Sequence, residues 1–187
     1  MFKIFSDSLK EFKNIKTLCV IGMLGALSII LSSFAIPVGN SLKIGFSSEC
    51  NYLVDCLFGP VAGAIFGAGM DVLKFLIKPD GPFFWGWTFN AGLAGLIVGL
   101  GLYRKKITYI RVCIVRLINS LVVNVFFGTL WLNLMYGKGF MALLPTRLFK
   151  NVVLIPLEAL IFMAIYKALE KSGAISLIRQ PLGRKNK

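Results

Sequence analysis

Thr17 to Ile36 is a run of 20 residues without a single charged side chain. A helix needs roughly 20 apolar residues to cross the ~30 Å hydrocarbon core of a bilayer. The run follows Lys10, Lys13 and Lys16, a basic flank that suits a cytoplasmic start. A signal peptide also places an apolar stretch behind basic residues. This run is long for one, and five more apolar segments follow in the 187 residues. Apolar residues make up 57% of the chain, charged ones only 16%, and the mean hydropathy is +0.78. Soluble domains carry about a quarter charged residues, so the chain reads as an all-α membrane protein.

Punctuation divides it into six spans. The first is 17–36, ended by Pro37-Val38-Gly39-Asn40. A short second span runs from Ser48 to Gly59 and carries Glu49 and Asp55. Pro60 suits the first turn of a third helix reaching Ile77. Lys78-Pro79-Asp80-Gly81-Pro82 is a loop, followed by the cluster Phe83-Phe84-Trp85-Gly86-Trp87. The fourth span is expected over 88–103, the fifth over 107–135 and the sixth over 141–169. Residues 1–16 repeat Phe2, Phe5, Leu9 and Phe12 at helical spacing, an amphipathic segment for a membrane surface. The domains are then a surface segment at 1–16, a six-helix bundle at 17–170 and a basic tail at 171–187.

The net charge of +13 would suggest nucleic acid in a soluble protein. In a membrane protein it reflects Lys and Arg gathered in cytoplasmic loops. With both termini inside, 14 of the 21 basic residues fall on the inner side. Six fall outside: Lys43, Lys74, Lys78, Lys138, Arg147 and Lys150. Arg116 lies within the membrane region. The expected orientation is N-in and C-in.

Several chemistries are poorly supported. The chain has no histidine, which removes the usual general base and metal ligand. It has no phosphate-cradling glycine loop of its own. The four cysteines form no C-x-x-C pair and read as small buried hydrophobes. A lipid-acting membrane enzyme and a ligandless structural bundle are therefore minor alternatives. No catalytic, metal or cofactor site is expected.

Two positive signals remain. Gly22 and Ala26 on helix one, Gly63 and Gly67 on helix three, and Ala91, Gly95 and Gly99 on helix four let helices approach closely. They serve either packing within the bundle or docking to another membrane protein. At the outer end, Phe46, Asp71, Lys74, Trp85, Trp87, Asn90, Arg147 and Lys150 gather. The tryptophans alone fit an interfacial belt. Asp71 and Lys74, and likewise Arg147 and Lys150, lie three apart on one helix face. Asp71–Lys74 reads either as an intrahelical ion pair or as ligand groups. Flat aromatics beside convergent polar groups suit a flat, polar, anionic ligand.

These stretches resemble a known family. Leu57-Phe58-Gly59-Pro60-Val61-Ala62-Gly63, Asp71-Val72-Leu73-Lys74, Pro82 to Gly92, Thr129 to Lys138, and Leu143 to Asn151 are similar to the substrate-binding (S) subunit of energy-coupling factor (ECF) transporters, the vitamin importers of bacteria and archaea. The similarity runs over about 17–170 and is greatest to the folate-specific branch. The resemblance implies a subunit of a prokaryotic cell membrane that binds folate from outside at high affinity. It has no ATPase and works with a membrane coupling protein and two cytoplasmic ATPases, which alone use ATP. It also implies that the helix-one motif, here Gly22 and Ala26 in place of the usual alanine pair, contacts the coupling protein, and that the subunit topples to deliver its ligand. In this reading Trp85, Trp87 or Phe46 stacks on the pterin and Asp71 accepts its N–H groups. Arg147 and Lys150 hold the glutamate, and Asn90 and Asn133 serve either end. Another vitamin, such as riboflavin, thiamine or a precursor, is the same-class alternative. Thiamine is a cation, and the basic mouth argues against it.

Overall fold

The computed structural model describes residues 2–12, 14–34, 36–38, 42–44, 46–79, 82–137 and 140–179, with the side chains of 2, 3, 10–12, 36–38, 42–44, 136, 140–150 and 179 outside the description. The fold is a helical bundle with one small hairpin. The helices are α1 (Phe2–Phe12), α2 (Ile15–Ser33), α3 (Ser47–Phe58), α4 (Pro60–Ile77), α5 (Trp85–Leu102), α6 (Tyr109–Asn119), α7 (Gly128–Tyr136), α8 (Phe140–Lys171) and α9 (Ala174–Arg179). Strands β1 (Ile36–Val38) and β2 (Leu42–Ile44) pair antiparallel, with Ile36 opposite Ile44 and Pro37 opposite Lys43. The hairpin occupies part of what the sequence suggested was plain loop.

Five segments are long and apolar enough to cross a membrane: Ile15–Ser33, Pro60–Ile77, Trp85–Leu102, Tyr109–Met135 and Asn151–Lys171. Helix α3 has 12 residues, about 18 Å of helix, which is short against a ~30 Å core. Most of its side chains are buried, including Glu49 and Asp55. It is a polar helix enclosed by the apolar ones.

The boundaries follow local chemistry. Asn14 caps α2 by accepting from the Lys16 N–H at 3.1 Å. Gly59 takes φ +91°, a conformation open to glycine, and turns the chain between α3 and α4. Pro60 then opens α4, as its sequence suggests. Two elements differ from expectation. Helix α5 begins at Trp85, not Thr88, so Trp85 and Trp87 stand on a helix and point from different faces of it. The basic tail contains a helical turn and a half, α9, where Ile175 is buried in the core.

The first free N–H groups of α4 find an unexpected acceptor. Ser8 of α1 is fully buried; its Oγ accepts from the N–H groups of Val61 and Ala62 at 3.1 and 3.2 Å and donates to the Phe58 carbonyl at 2.8 Å. A helix start leaves such donors orphaned unless something caps them. The periodicity of residues 2–12 assigns its aromatics and Leu9 to a membrane surface, and it gives no role to Ser8. Leu9 is exposed on one side, while the serine faces inward because buried donors need an acceptor. Asp7 adds a 2.6 Å ion pair to Arg104 in the α5–α6 turn.

Helices α4 and α5 pack closest. A Cβ added at Gly63 would lie 2.3 Å from Asp55 Oδ1 and 3.1 Å from the Gly95 carbonyl; one at Gly95 would lie 2.4 Å from Gly63. Only bare backbone allows this approach. Gly63, Gly67, Gly95 and Gly99 are thus spent inside the bundle. Gly22 is different: nothing lies within 4 Å of its Cβ position, and Ala26 is exposed beside it.

Between α6 and α7, residues Ser120–Phe127 wind as a π-helix. The Gly128 N–H reaches back five residues to the Val123 carbonyl. Such wide turns redirect side chains and often mark functional sites.

Candidate ligand-binding site

The end of the bundle that carries the hairpin holds the expected mouth residues. Asp71 on α4 accepts a hydrogen bond from the Thr88 hydroxyl on α5 at 2.8 Å. Among the described residues it forms no ion pair with Lys74, one turn further along the same helix. Asn90 is buried. Its amide donates to the Val123 carbonyl in the π-helical segment at 3.3 Å, and its Oδ1 accepts from the Trp131 indole N–H at 3.0 Å. Trp131 stacks near Phe127 and meets Phe84 edge-on. This joins α5 to the π segment and α7.

Other expected residues lie apart. Trp85 is 73% exposed and meets Phe83 edge-on, which in turn tilts against Phe75. That chain of rings forms an outward aromatic rim of the kind found at membrane interfaces. Trp87 is half-buried; Phe46 and Asn133 are exposed. Arg147 and Lys150 lie on the first third of α8, and their side chains are outside the described residues. Trp131 lies within the Thr129–Lys138 stretch and is not among the site residues the sequence suggests. Its indole N–H needs a partner when buried, and that need brings it to Asn90.

A second polar cluster lies deeper. Arg116 on α6 is 2% exposed. Its Nη2 donates to Glu49 on α3 at 2.5 Å and its Nη1 to Glu158 on α8 at 2.8 Å. Its guanidinium lies 4.2 Å from the centre of the Tyr52 ring, a cation–π contact. The Asn119 amide donates to the Tyr52 hydroxyl at 2.9 Å. Arg116, Glu158, Tyr52 and Asn119 border a cavity of about 220 Å³ whose walls also include Asn51, Asp55 and Asn124, and the small residues Gly67, Ala91, Ala94 and Gly95. Among the described residues no cluster of His, Cys, Asp and Glu is arranged to hold a metal ion.

Sequence reasoning noted Glu49, Asp55 and Arg116 as charges in apolar surroundings but did not assign them to a site. The available signal was their cost: ionisable groups at membrane depth are paired or face a polar cavity. Which groups pair is a tertiary matter, since Arg116 is 67 residues from Glu49 and 42 from Glu158.

Comparison with known proteins agrees with this architecture. The folate transporter FolT of Clostridium novyi is 29% identical over 159 residues, covering 85% of this chain and 92% of that protein. FolT of Leuconostoc mesenteroides is 28% identical over 145 residues, covering 74% and 78%. A crystal structure of FolT bound with folic acid superposes with a TM-score of 0.72 at 33% identity, covering 81% of this chain and 93% of that one. Residues 16–166 match the sequence profile of the family described as ECF transporter, substrate-specific component. The resemblance read from the sequence is thereby borne out, and the chain belongs to the family of substrate-specific components of ECF transporters.

Proposed function

We propose that this chain binds folate at the outer face of a prokaryotic cell membrane and passes it inward with a coupling protein and two ATPases supplied by separate chains. It is a transporter subunit and not an enzyme. The observation that carries this reading is the likeness to a folic-acid-bound protein at TM-score 0.72 over most of both chains. The polar mouth supports it. Asp71 bridges α4 to Thr88 of α5, Asn90 is held by Val123 and Trp131, and Lys74, Trp87, Trp85 and Phe46 lie toward the same end of the bundle. Arg147, Lys150 and Asn133 supply the groups for the glutamate end, Arg147 by a bidentate fork.

The isolated subunit binds folate without ATP. Titration of the purified protein with folate tests this, and absence of binding overturns it. Arg147→Ala weakens folate about tenfold or more, the usual effect of losing a charge-assisted contact, and weakens pteroate less, because pteroate lacks the glutamate. Equal losses for the two ligands would remove Arg147 from that role.

The bundle sits with both termini inside, α3 completing the six helices as a short crossing. The 14-to-6 distribution of basic residues supports this orientation. A single cysteine at Lys138 is labelled in intact cells by an impermeant thiol reagent, whereas one at Lys105 is not. The reverse pattern would invert the topology.

Docking to the coupling protein uses Gly22 and Ala26. Both are exposed and border a shallow apolar groove of about 430 Å³ with Ile65, Gly69 and Leu73 of α4. Small residues on a lipid-facing groove permit close approach of a partner helix.

A further inference from the structure

We propose that the cavity between the α5–α6 turn and the end of α8 binds the phosphate headgroup of an anionic phospholipid at the membrane surface. The site lies at the end of α5 opposite the expected mouth, and it does not depend on what the mouth binds.

The cavity measures about 730 Å³ and has a basic wall. Arg104, Lys105 and Lys106 follow one another in the turn, and Lys167 comes from α8; Glu170 is the one acid among the described wall residues. The turn is tight. Arg104 takes φ +54°, a left-handed conformation that residues other than glycine enter at a cost. Asp7 pairs with Arg104 at 2.6 Å. Lys105 gives one of its three donors to the Leu100 carbonyl at 2.9 Å. Among the described residues, the ammonium groups of Lys106 and Lys167 have no hydrogen-bond or ion-pair partner. The wall therefore carries excess positive charge, which draws an anion. The chain beyond residue 179 brings Arg184, Lys185 and Lys187 and no acidic side chain, so it does not supply one.

Two observations select a lipid over a soluble phosphate. The first is depth. The apolar segments Trp85–Leu102 and Asn151–Lys171 end beside this cavity, and Tyr109–Met135 begins beside it. The basic wall thus stands where hydrocarbon gives way to headgroups. The amphipathic helix α1 is tied to the same end through Asp7 and Ser8. The second is the rest of the wall, where Leu57, Ile107 and Met163 set apolar surface beside the ammonium groups. A free phosphate gains nothing from that surface, whereas the glycerol and first acyl carbons of a lipid are buried on it. Basic pockets between transmembrane helices on the cytoplasmic side suit such headgroups, and the orientation proposed above puts this one in the inner leaflet.

The test titrates the full-length protein in neutral detergent with phosphatidylglycerol and phosphatidylcholine, and native mass spectrometry counts the bound lipid. One phosphatidylglycerol binds about tenfold or more tighter than phosphatidylcholine. The double variant Lys106→Gln with Lys167→Gln loses about thirtyfold for phosphatidylglycerol, the product of roughly fivefold for each basic residue, and binds phosphatidylcholine as before. Arg111→Gln with Lys171→Gln removes as much charge from the same end but leaves the cavity wall intact, and keeps the affinity within about threefold. All four side chains are exposed, so the fold tolerates these changes; the comparison of the two lipids on the unmodified protein decides independently. Equal affinity for the two lipids, or equal losses in the two double variants, overturns the inference. Displacement of phosphatidylglycerol by an equal concentration of inorganic phosphate gives the site to a soluble anion and overturns it too.

Discussion

Replacing Gly22 and Ala26 together with leucine is expected to abolish folate uptake in cells that supply the coupling protein and ATPases, while purified protein keeps folate affinity within about threefold. The structure separates these outcomes because the two residues face away from the bundle. Nothing lies within 4 Å of a Cβ at Gly22, so added side chains meet lipid, where leucine is at ease. The neighbouring Gly25 is the contrast. A Cβ there would lie 3.3 Å from both Met70 Sδ and a Phe66 ring carbon, so Gly25 packs against α4. Exposed substitutions away from special features change stability by about 0.5 kcal/mol or less, which is the basis of the threefold limit. A partner helix seated on the groove would be pushed outward by two leucine side chains and lose its close contact. The measurement is paired: titration of the purified double variant, and uptake of labelled folate by cells. Parallel loss of binding and uptake would show that the face packs inside; no loss of either would place docking elsewhere.

Arg116→Met is expected to be the most damaging single change in the bundle, costing about 3–5 kcal/mol. The guanidinium neutralises Glu49 and Glu158 at once, and Glu49 is itself buried. Removing the cation strands a carboxylate away from water, and that desolvation is the source of the loss. The double variant Arg116→Met with Glu49→Gln should recover part of it, because the stranded charge is gone; Glu158 is 40% exposed on its side chain and can reach polar surroundings. Thermal unfolding in detergent measures both variants. A single variant as stable as the unmodified protein, or a double variant no better than the single, would show that the triad is not what holds α3, α6 and α8 together.

Much of the architecture was legible in the residues because its causes are local. Hydropathy places the apolar spans, and Pro60, the Lys78–Pro82 loop and the Arg104–Lys106 turn punctuate them within a few residues. The family resemblance rests on contiguous stretches for the same reason. The start of α5 was misplaced by three residues because Trp85-Gly86-Trp87 has no charge or proline to mark whether it belongs to loop or helix. The π-helical winding of 120–127 left no mark in the composition of SLVVNVFF.

The cavity and the caps lay beyond local reasoning. Ser8 acts on residues 50 or more positions away, and Asn90 is satisfied by a carbonyl and an indole on two other segments. The sequence alone determined that this chain crosses a membrane, roughly where, and to which family it is similar, since transfer of apolar residues into lipid depends on each segment by itself. Tertiary structure decided which intramembrane charges meet. Glu49, Arg116 and Glu158 neutralise one another because the fold brings α3, α6 and α8 together across 67 and 42 residues of sequence, with α3 enclosed and its charged side chains buried, where each charge must find a partner or face a cavity.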